Sequence, residues 1–306
     1  MKKENCVEQL IAYLLDVLPE YRAEAETVPM DARSRRYLLR CLMNVWDPRR
    51  KLPEAYFKLE QQLLSIETQE KVPVDAMALP EKEPGIVLWQ GDITRLAADA
   101  IVNAANSQML GCFVPGHSCI DNAIHSAAGL RLRAACYELM KAQGHEEQTG
   151  QAKLTPGFAL PARYVIHTVG PIVRGRVTEN DQAFLRSCYR SCLDIAQKKH
   201  LRSVVFCCIS TGVFHFPHRE AAEIATSEVR RYHQIPVLAH DDGTSKCPLC
   251  LRESDEDVRA GGNRRPNDTA NLQCRSALLK ESWGQHPKES VLSSAYWGSC
   301  EMHRTR

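Results

Sequence analysis

No stretch of this 306-residue chain approaches the ~20 consecutive apolar residues needed to cross a bilayer. No membrane-spanning helix is therefore expected. The opening Met1-Lys2-Lys3-Glu4-Asn5 is not followed by a signal-type apolar run and cleavage site, so cytoplasmic residence is expected. An excess of charge of one sign is also missing: 39 Lys and Arg stand against 37 Asp and Glu, a formal net charge of +2. That balance gives no electrostatic case for binding nucleic acid or a membrane surface, and neither partner is expected. The 13 cysteines would suggest disulfides in a short secreted protein, but the count is odd and the chain is long. Reduced thiols are the better reading. Cys136, Cys188, Cys192, Cys207 and Cys208 lie in apolar or helix-like contexts and read as core, where a free cysteine behaves as a small hydrophobe.

What is present is patterned. Apolar positions at helical spacing predict an amphipathic helix over residues 6–18, a second over 31–45 and a third over 52–67 with Pro53 in its first turn. Residues 1–80 thus read as a helical extension, expected to pack on the domain C-terminal to it, with recognition of a protein partner as its alternative role. After Pro80 the pattern changes to short apolar strands alternating with helices. Strands are predicted at 86–90, 100–103, 164–169 and 203–209, and helices at 119–141, 184–200 and 219–232. Such alternation implies an α/β fold with a mixed or mostly parallel sheet covered on both faces. Ligands bind such sheets beyond the carboxyl ends of the strands, where the chemistry-bearing motifs of this chain all fall.

The loop after the second strand is rich in chemistry. Asn103-Ala104-Ala105-Asn106 is followed by Gly111-Cys112-Phe113-Val114-Pro115-Gly116-His117-Ser118-Cys119-Ile120-Asp121-Asn122. Two thiols, an imidazole, a carboxylate and amides in one loop suffice for a zinc site beside a sugar site. Cys112, His117 and Cys119 are close enough in sequence to grip one ion, and three protein ligands leave a fourth position open for catalysis. An ion that only folds the loop is the competing reading. Further on, Ser210-Thr211-Gly212 follows an apolar strand and can turn backbone N–H groups toward a pyrophosphate.

Several motifs occur together in an order that resembles one family. Val87-Leu88-Trp89-Gln90-Gly91-Asp92-Ile93-Thr94, the Asn103 to Asn106 run, Ile120-Asp121-Asn122-Ala123-Ile124-His125 and Ile209-Ser210-Thr211-Gly212-Val213-Phe214-His215-Phe216-Pro217 resemble a macrodomain, a module that binds ADP-ribose. The place of the glycine run in most hydrolytic macrodomains is filled here by Cys112 to Cys119, as in the zinc-containing subfamily. The resemblance covers roughly residues 35–232. It implies a three-layer α/β/α macrodomain with a mixed sheet over residues 81–233, and an activity that removes mono-ADP-ribose from modified protein side chains with Zn2+ as cofactor.

Roles for single residues come from the same resemblance. Asp92 would read the adenine and Ile93 support its ring, although an isolated Gly-Asp-Ile-Thr would more simply be a helix cap. Ser210, Thr211, Gly212 and Val213 would hold the pyrophosphate and Phe214 would cover it as a lid. Asn106 would hold the distal ribose, since an amide donates and accepts at once. Asn103 reads as structural. Asp121 would orient water or substrate at the anomeric carbon, capping a helix being its alternative, and His125 at i+4 reads as packed. Lys153 to Pro161 and His167 to Pro171 read as scaffold turns bordering the cleft. Zinc-containing macrodomains resemble partners of a sirtuin-like transferase acting on lipoyl-carrier proteins, so a mono-ADP-ribosylated carrier is the expected substrate protein. A reader that binds ADP-ribose around a structural zinc, and a scaffold with a vestigial cleft, are the other readings.

The last quarter departs from the family pattern. A macrodomain continues with an apolar strand, an acidic turn and a closing helix, whereas the sequence after Gln234 passes into polar, Gly/Arg/Asn-rich stretches such as residues 259–266. Residues 234–306 are expected to form a disordered tail, which puts the last strand in question. Cys247 and Cys250 could form half of a zinc knuckle, but Cys274, His286, Cys300 and His303 are too scattered to complete it.

Overall fold

The computed structural model describes residues 2–232 and the backbone of 237–241. Four helices come first: α1 (Lys3–Val17), the short α2 (Arg22–Glu26), α3 (Ala32–Val45) and α4 (Glu54–Glu70). Asp31 starts α3 by accepting from the N–H groups of Arg33 and Ser34, which satisfies donors the first turn cannot pair internally. Leu10, Leu14, Leu38, Leu39, Leu42, Tyr56 and Leu63 are fully buried between α1, α3 and α4. Each buried leucine contributes roughly 1.5–3 kcal/mol, so this layer has a core of its own. Among the described residues no helix is long and apolar enough to cross a membrane.

The sheet comes next in the chain. Its strands are β1 (Val74–Asp75), β2 (Glu81–Glu83), β3 (Ile86–Gln90), β4 (Leu96–Ala97), β5 (Ala100–Ala105), β6 (Ala152–Pro156), β7 (Tyr164–Val169), β8 (Val204–Phe206) and β9 (Val237–Asp241). The main sheet runs β2-β3-β9-β8-β5-β7-β6, while β1 and β4 form a separate parallel pair. β3, β9, β8, β5 and β7 are parallel and the two edges, β2 and β6, are antiparallel. The inner strands read as unbroken apolar runs because both faces are covered: Ile101, Val102, Val165, Ile166, Val204 and Val205 are all wholly buried. Helices α5 (Ile120–Ala128) and α6 (Leu130–Gln143) cover one face, and α7 (Glu179–Lys198) with α8 (His218–Val229) the other. The shared direction of the parallel strands brings the loops after β3, β5 and β8 to one rim.

Three expectations change. The helix predicted through residue 141 breaks at Gly129, whose φ of +88° and ψ of 173° lie outside the helical region. Glu60 of α4 accepts the Leu130 N–H there at 3.0 Å, and a side chain on residue 129 would collide with the same carboxylate. The start of the stretch from Lys153 to Pro161, read as scaffold turns, is strand β6, whereas His167 to Val169 lie in β7 as the strand predicted at 164–169 has it. Finally, Val237–Asp241, which composition assigns to the tail, pairs in parallel with both β3 and β8. The sheet therefore extends past residue 233. The cysteines and histidines of the suggested knuckle lie outside the described residues.

Candidate active site

The end of β5 and the start of α5 bring the loop chemistry together. The donor atoms of Cys112, His117 and Cys119 all lie within 4.8 Å of one another. Cys112 Sγ stands 3.7 Å from His117 Nδ1. Cys119 is the N-cap of α5, its sulfur accepting the Asn122 N–H at 3.4 Å. The two thiols titrate together: the hydrogen bond from Cys119, helped by His117, favours a thiolate on Cys112 and pushes Cys119 up. Two sulfurs and one imidazole at this spacing, with a thiolate already favoured, are the donor set a zinc ion takes. The residues fit the metal.

Asp121 sits in the first turn of α5, 5% exposed. Its Oδ1 accepts from Asn103 Nδ2 at 2.8 Å and its Oδ2 faces Asn106 Nδ2 at 3.4 Å. Burial pushes the carboxyl up to about 7, with the Asn103 hydrogen bond pulling the other way. Asn106 also donates to Gly111 O at 3.1 Å, so its amide bridges the start of the cysteine-bearing loop and the carboxylate. Behind them lie His125, Cys136 and His167, all buried, with donor atoms within 4.8 Å of one another. His167 hydrogen-bonds Asn103 Nδ2 at 3.1 Å and Thr155 Oγ1 at 2.9 Å, and burial holds it down to about 3. His125 Nε2 is 3.5 Å from Asp121 Oδ1, too far for a firm bond, and burial keeps the ring neutral.

The remaining predicted residues line the neighbouring loops. Asp92 caps the short turn after β3, accepting Thr94 N at 3.0 Å and Thr94 Oγ1 at 2.6 Å, while its second oxygen lies 3.4 Å from Lys71 Nζ. It remains 43% exposed, so a carboxylate oxygen reaches the rim. Ile93 is packed into the core at 1% exposure. The turn after β8 is built by Thr211 Oγ1 and N–H, both donating to Cys208 O, and by Phe216 N–H donating to Ser210 O. Ser210 takes a φ of +64° there and is buried against Gly170, where a Cβ would overlap its hydroxyl. Gly212 and Val213 are exposed, and Phe214 is tied to the 170s loop by its carbonyl, which accepts Val173 N–H at 2.9 Å.

Comparison with known proteins gives this arrangement a family. A model of the Macro domain matches residues 102–225. A protein-ADP-ribose hydrolase of Treponema medium is 47% identical over 223 residues, covering 72% of this chain and 85% of that protein. This chain belongs to the Macro domain family. ADP-ribose glycohydrolase MACROD1 of Mus musculus is 46% identical over 174 residues, 56% of this chain and 50% of that protein. Among solved structures, a Trypanosoma brucei macrodomain is 34% identical with a TM-score of 0.50, over 63% of this chain and 82% of that one.

In this macrodomain the residues that hold the 112–119 loop from outside were not predicted from the sequence. Arg133, 1% exposed on α6, donates to the carbonyls of Met43, Asn44 and Trp46 and to Cys112 O, with its guanidinium 4.3 Å from the Phe113 ring. Arg40 and Asn44 of α3 reach the same loop. A buried arginine in an apolar helix stretch was the available signal, since such a group persists only where several acceptors converge. Asn103, read as structural, is also the residue that holds Asp121.

Proposed function

We propose that this macrodomain is a hydrolase that releases ADP-ribose from mono-ADP-ribosylated protein side chains, with Zn2+ held by Cys112, His117 and Cys119. Family membership, and the hydrolase names of relatives at 46–47% identity, support the coarse reading. The observation that carries the finer one is a Cys2His donor set, all atoms within 4.8 Å, on the loop that leads directly into the buried carboxylate of Asp121. When bound, the ion supplies concentrated positive charge beside the distal ribose, the kind of fixed electrostatic stabilisation that usually dominates catalysis.

The chain's own groups divide the remaining work. Asp92 accepts from the adenine amine with the oxygen that faces Lys71, and Ile93 backs that end of the cleft. The turn from Ser210 to Val213 offers backbone N–H groups to the pyrophosphate, and Phe214 closes over it. Asn106 turns its amide from Gly111 O to the ribose hydroxyls. Asp121, hydrogen-bonded by Asn103 and facing Asn106, would orient water or substrate next to the anomeric carbon. The first target to assay is a lipoyl-carrier protein modified by a sirtuin-like transferase.

The test is release of free ADP-ribose from a mono-ADP-ribosylated protein. Cys112→Ser and Asp121→Ala are each expected to lower the rate at least a hundredfold while the fold is retained by circular dichroism. Tight ADP-ribose binding without release by the wild-type protein would instead identify a reader with a structural ion. Full-speed release by protein shown to be metal-free would remove zinc from the chemistry.

A further inference from the structure

The 112–119 loop is gripped by the helical extension at His117, at Gly116 and, through Asn122, at Cys119. Arg40 Nη2 donates to His117 O at 3.3 Å and to Asn122 Oδ1 at 2.9 Å. Asn122 in turn gives its backbone N–H to the Cys119 sulfur and its side-chain amide to Val114 O at 3.0 Å. Asn44 Oδ1 accepts the Gly116 N–H at 3.0 Å, and its amide donates to Ser126 Oγ at 3.1 Å. The carbonyl of Cys112 is reached through Arg133, which is itself fixed by three carbonyls at the end of α3. Tyr37, Arg40 and Asn44 have helical spacing and so share one face of α3. The loop backbone lies flat on that face: Gly116 has a φ of +62°, and a Cβ there would overlap the Tyr37 hydroxyl.

These contacts do something that packing alone does not. A free loop loses conformational entropy when it closes around an ion, and that loss lowers affinity unless the geometry is already set. Two of the three donors are tied to α3, more than seventy positions earlier: His117 through its own carbonyl and Cys119 through Asn122, while Asn44 fixes the backbone at Gly116 and Cys112 is held by Arg133 of α6. Loss of such outer contacts typically costs about 10–100-fold in metal affinity.

We propose that α3 is part of the metal site, with Arg40 and Asn44 acting as positioning residues that preset the separations of Cys112, His117 and Cys119. This rests on the reading of that triad as a zinc site. The extension is thereby a template for the loop, and the affinity of the ion is written into side chains outside the ligand loop.

The experiment uses the full chain, stripped of metal and titrated with Zn2+ against a competing chelator and with Co2+ followed by its thiolate absorption. Arg40→Met and Asn44→Ala are each expected to weaken Zn2+ at least tenfold and to alter the cobalt spectrum. The melts of the metal-free proteins should stay within a few degrees of wild type. Asn44→Asp, which keeps the acceptor for Gly116 N–H, is expected to bind Zn2+ more tightly than Asn44→Ala. If Arg40→Met lowers the metal-free melt further, Arg40→Lys keeps the stem and one donor and is judged by the same affinity criterion. Wild-type affinity and spectrum in these variants would overturn the proposal while leaving the zinc reading intact. Failure of the wild-type protein to bind one equivalent of either ion would overturn the zinc reading itself, and the proposal with it.

Discussion

Two glycines in the cleft loops differ in what surrounds them, and the difference predicts different failures. At Gly111, with a φ of +80°, a Cβ would lie 2.8 Å from the His125 ring. Gly111→Ala is expected to destabilise the fold by about 1–3 kcal/mol, read as a lower melting temperature, because both backbone strain and overpacking oppose it. At Gly212 no atom lies within 4 Å of the position a Cβ would take. Gly212→Val is therefore expected to melt like wild type yet bind ADP-ribose at least tenfold more weakly by calorimetry, since the side chain fills the space above the turn. The residues whose grouping is legible in the sequence are those whose neighbours are close in the chain. Cys112, His117, Cys119 and Asp121 lie within ten positions of one another, and the structure groups the first three as that spacing predicts. Arg40 and Asn44 act on loop groups 72–82 positions away, and Arg133 joins Cys112 O, 21 positions earlier, to carbonyls 87–90 positions earlier; nothing local in their sequence announces those partners.

At the level of elements, the joint between α4 and α6 carries a titratable group. Glu60 is buried, accepts the Tyr56 hydroxyl at 3.0 Å and the Leu130 N–H at 3.0 Å, and burial pushes its carboxyl up to about 7. The folded state thus holds this proton more tightly than the unfolded state, so the contribution is complete below about pH 4.5 and is lost as pH rises through 7. The size is on the order of 3 kcal/mol across that window. Glu60→Gln is expected to shrink the fall in melting temperature between pH 5 and pH 8, measured calorimetrically. Element boundaries were legible where a cap or an apolar period marks them, as at Asp31 and over β3, β5 and β7. The break at Gly129 was not, because a lone glycine inside a helical period is ambiguous until its neighbour in space is known. Here that neighbour is Glu60, from seventy residues earlier.

For the whole molecule, the three-layer core was legible from the alternation of strands and helices, and the extension from its amphipathic periods. What composition concealed was the reach of the sheet beyond residue 233, since the polar sequence after residue 241 dilutes the short apolar run at 237–239. Removing residues 1–72 would strip α3 from Arg133 and leave a buried guanidinium without its three carbonyl acceptors. That truncation is expected to yield insoluble protein or a melt lowered by tens of degrees, checked by expression and scanning fluorimetry. Chain order has a further consequence for β3, which among the described residues pairs with the inner strands of the main sheet through β9. The strand leading to Asp92 is synthesised early, yet its hydrogen-bonded ladder to the inner strands pairs Ile86 with Val237 and Gln90 with Asp241, so that ladder is expected to close last even though Ile93 and Leu96 pack into the shared core without it.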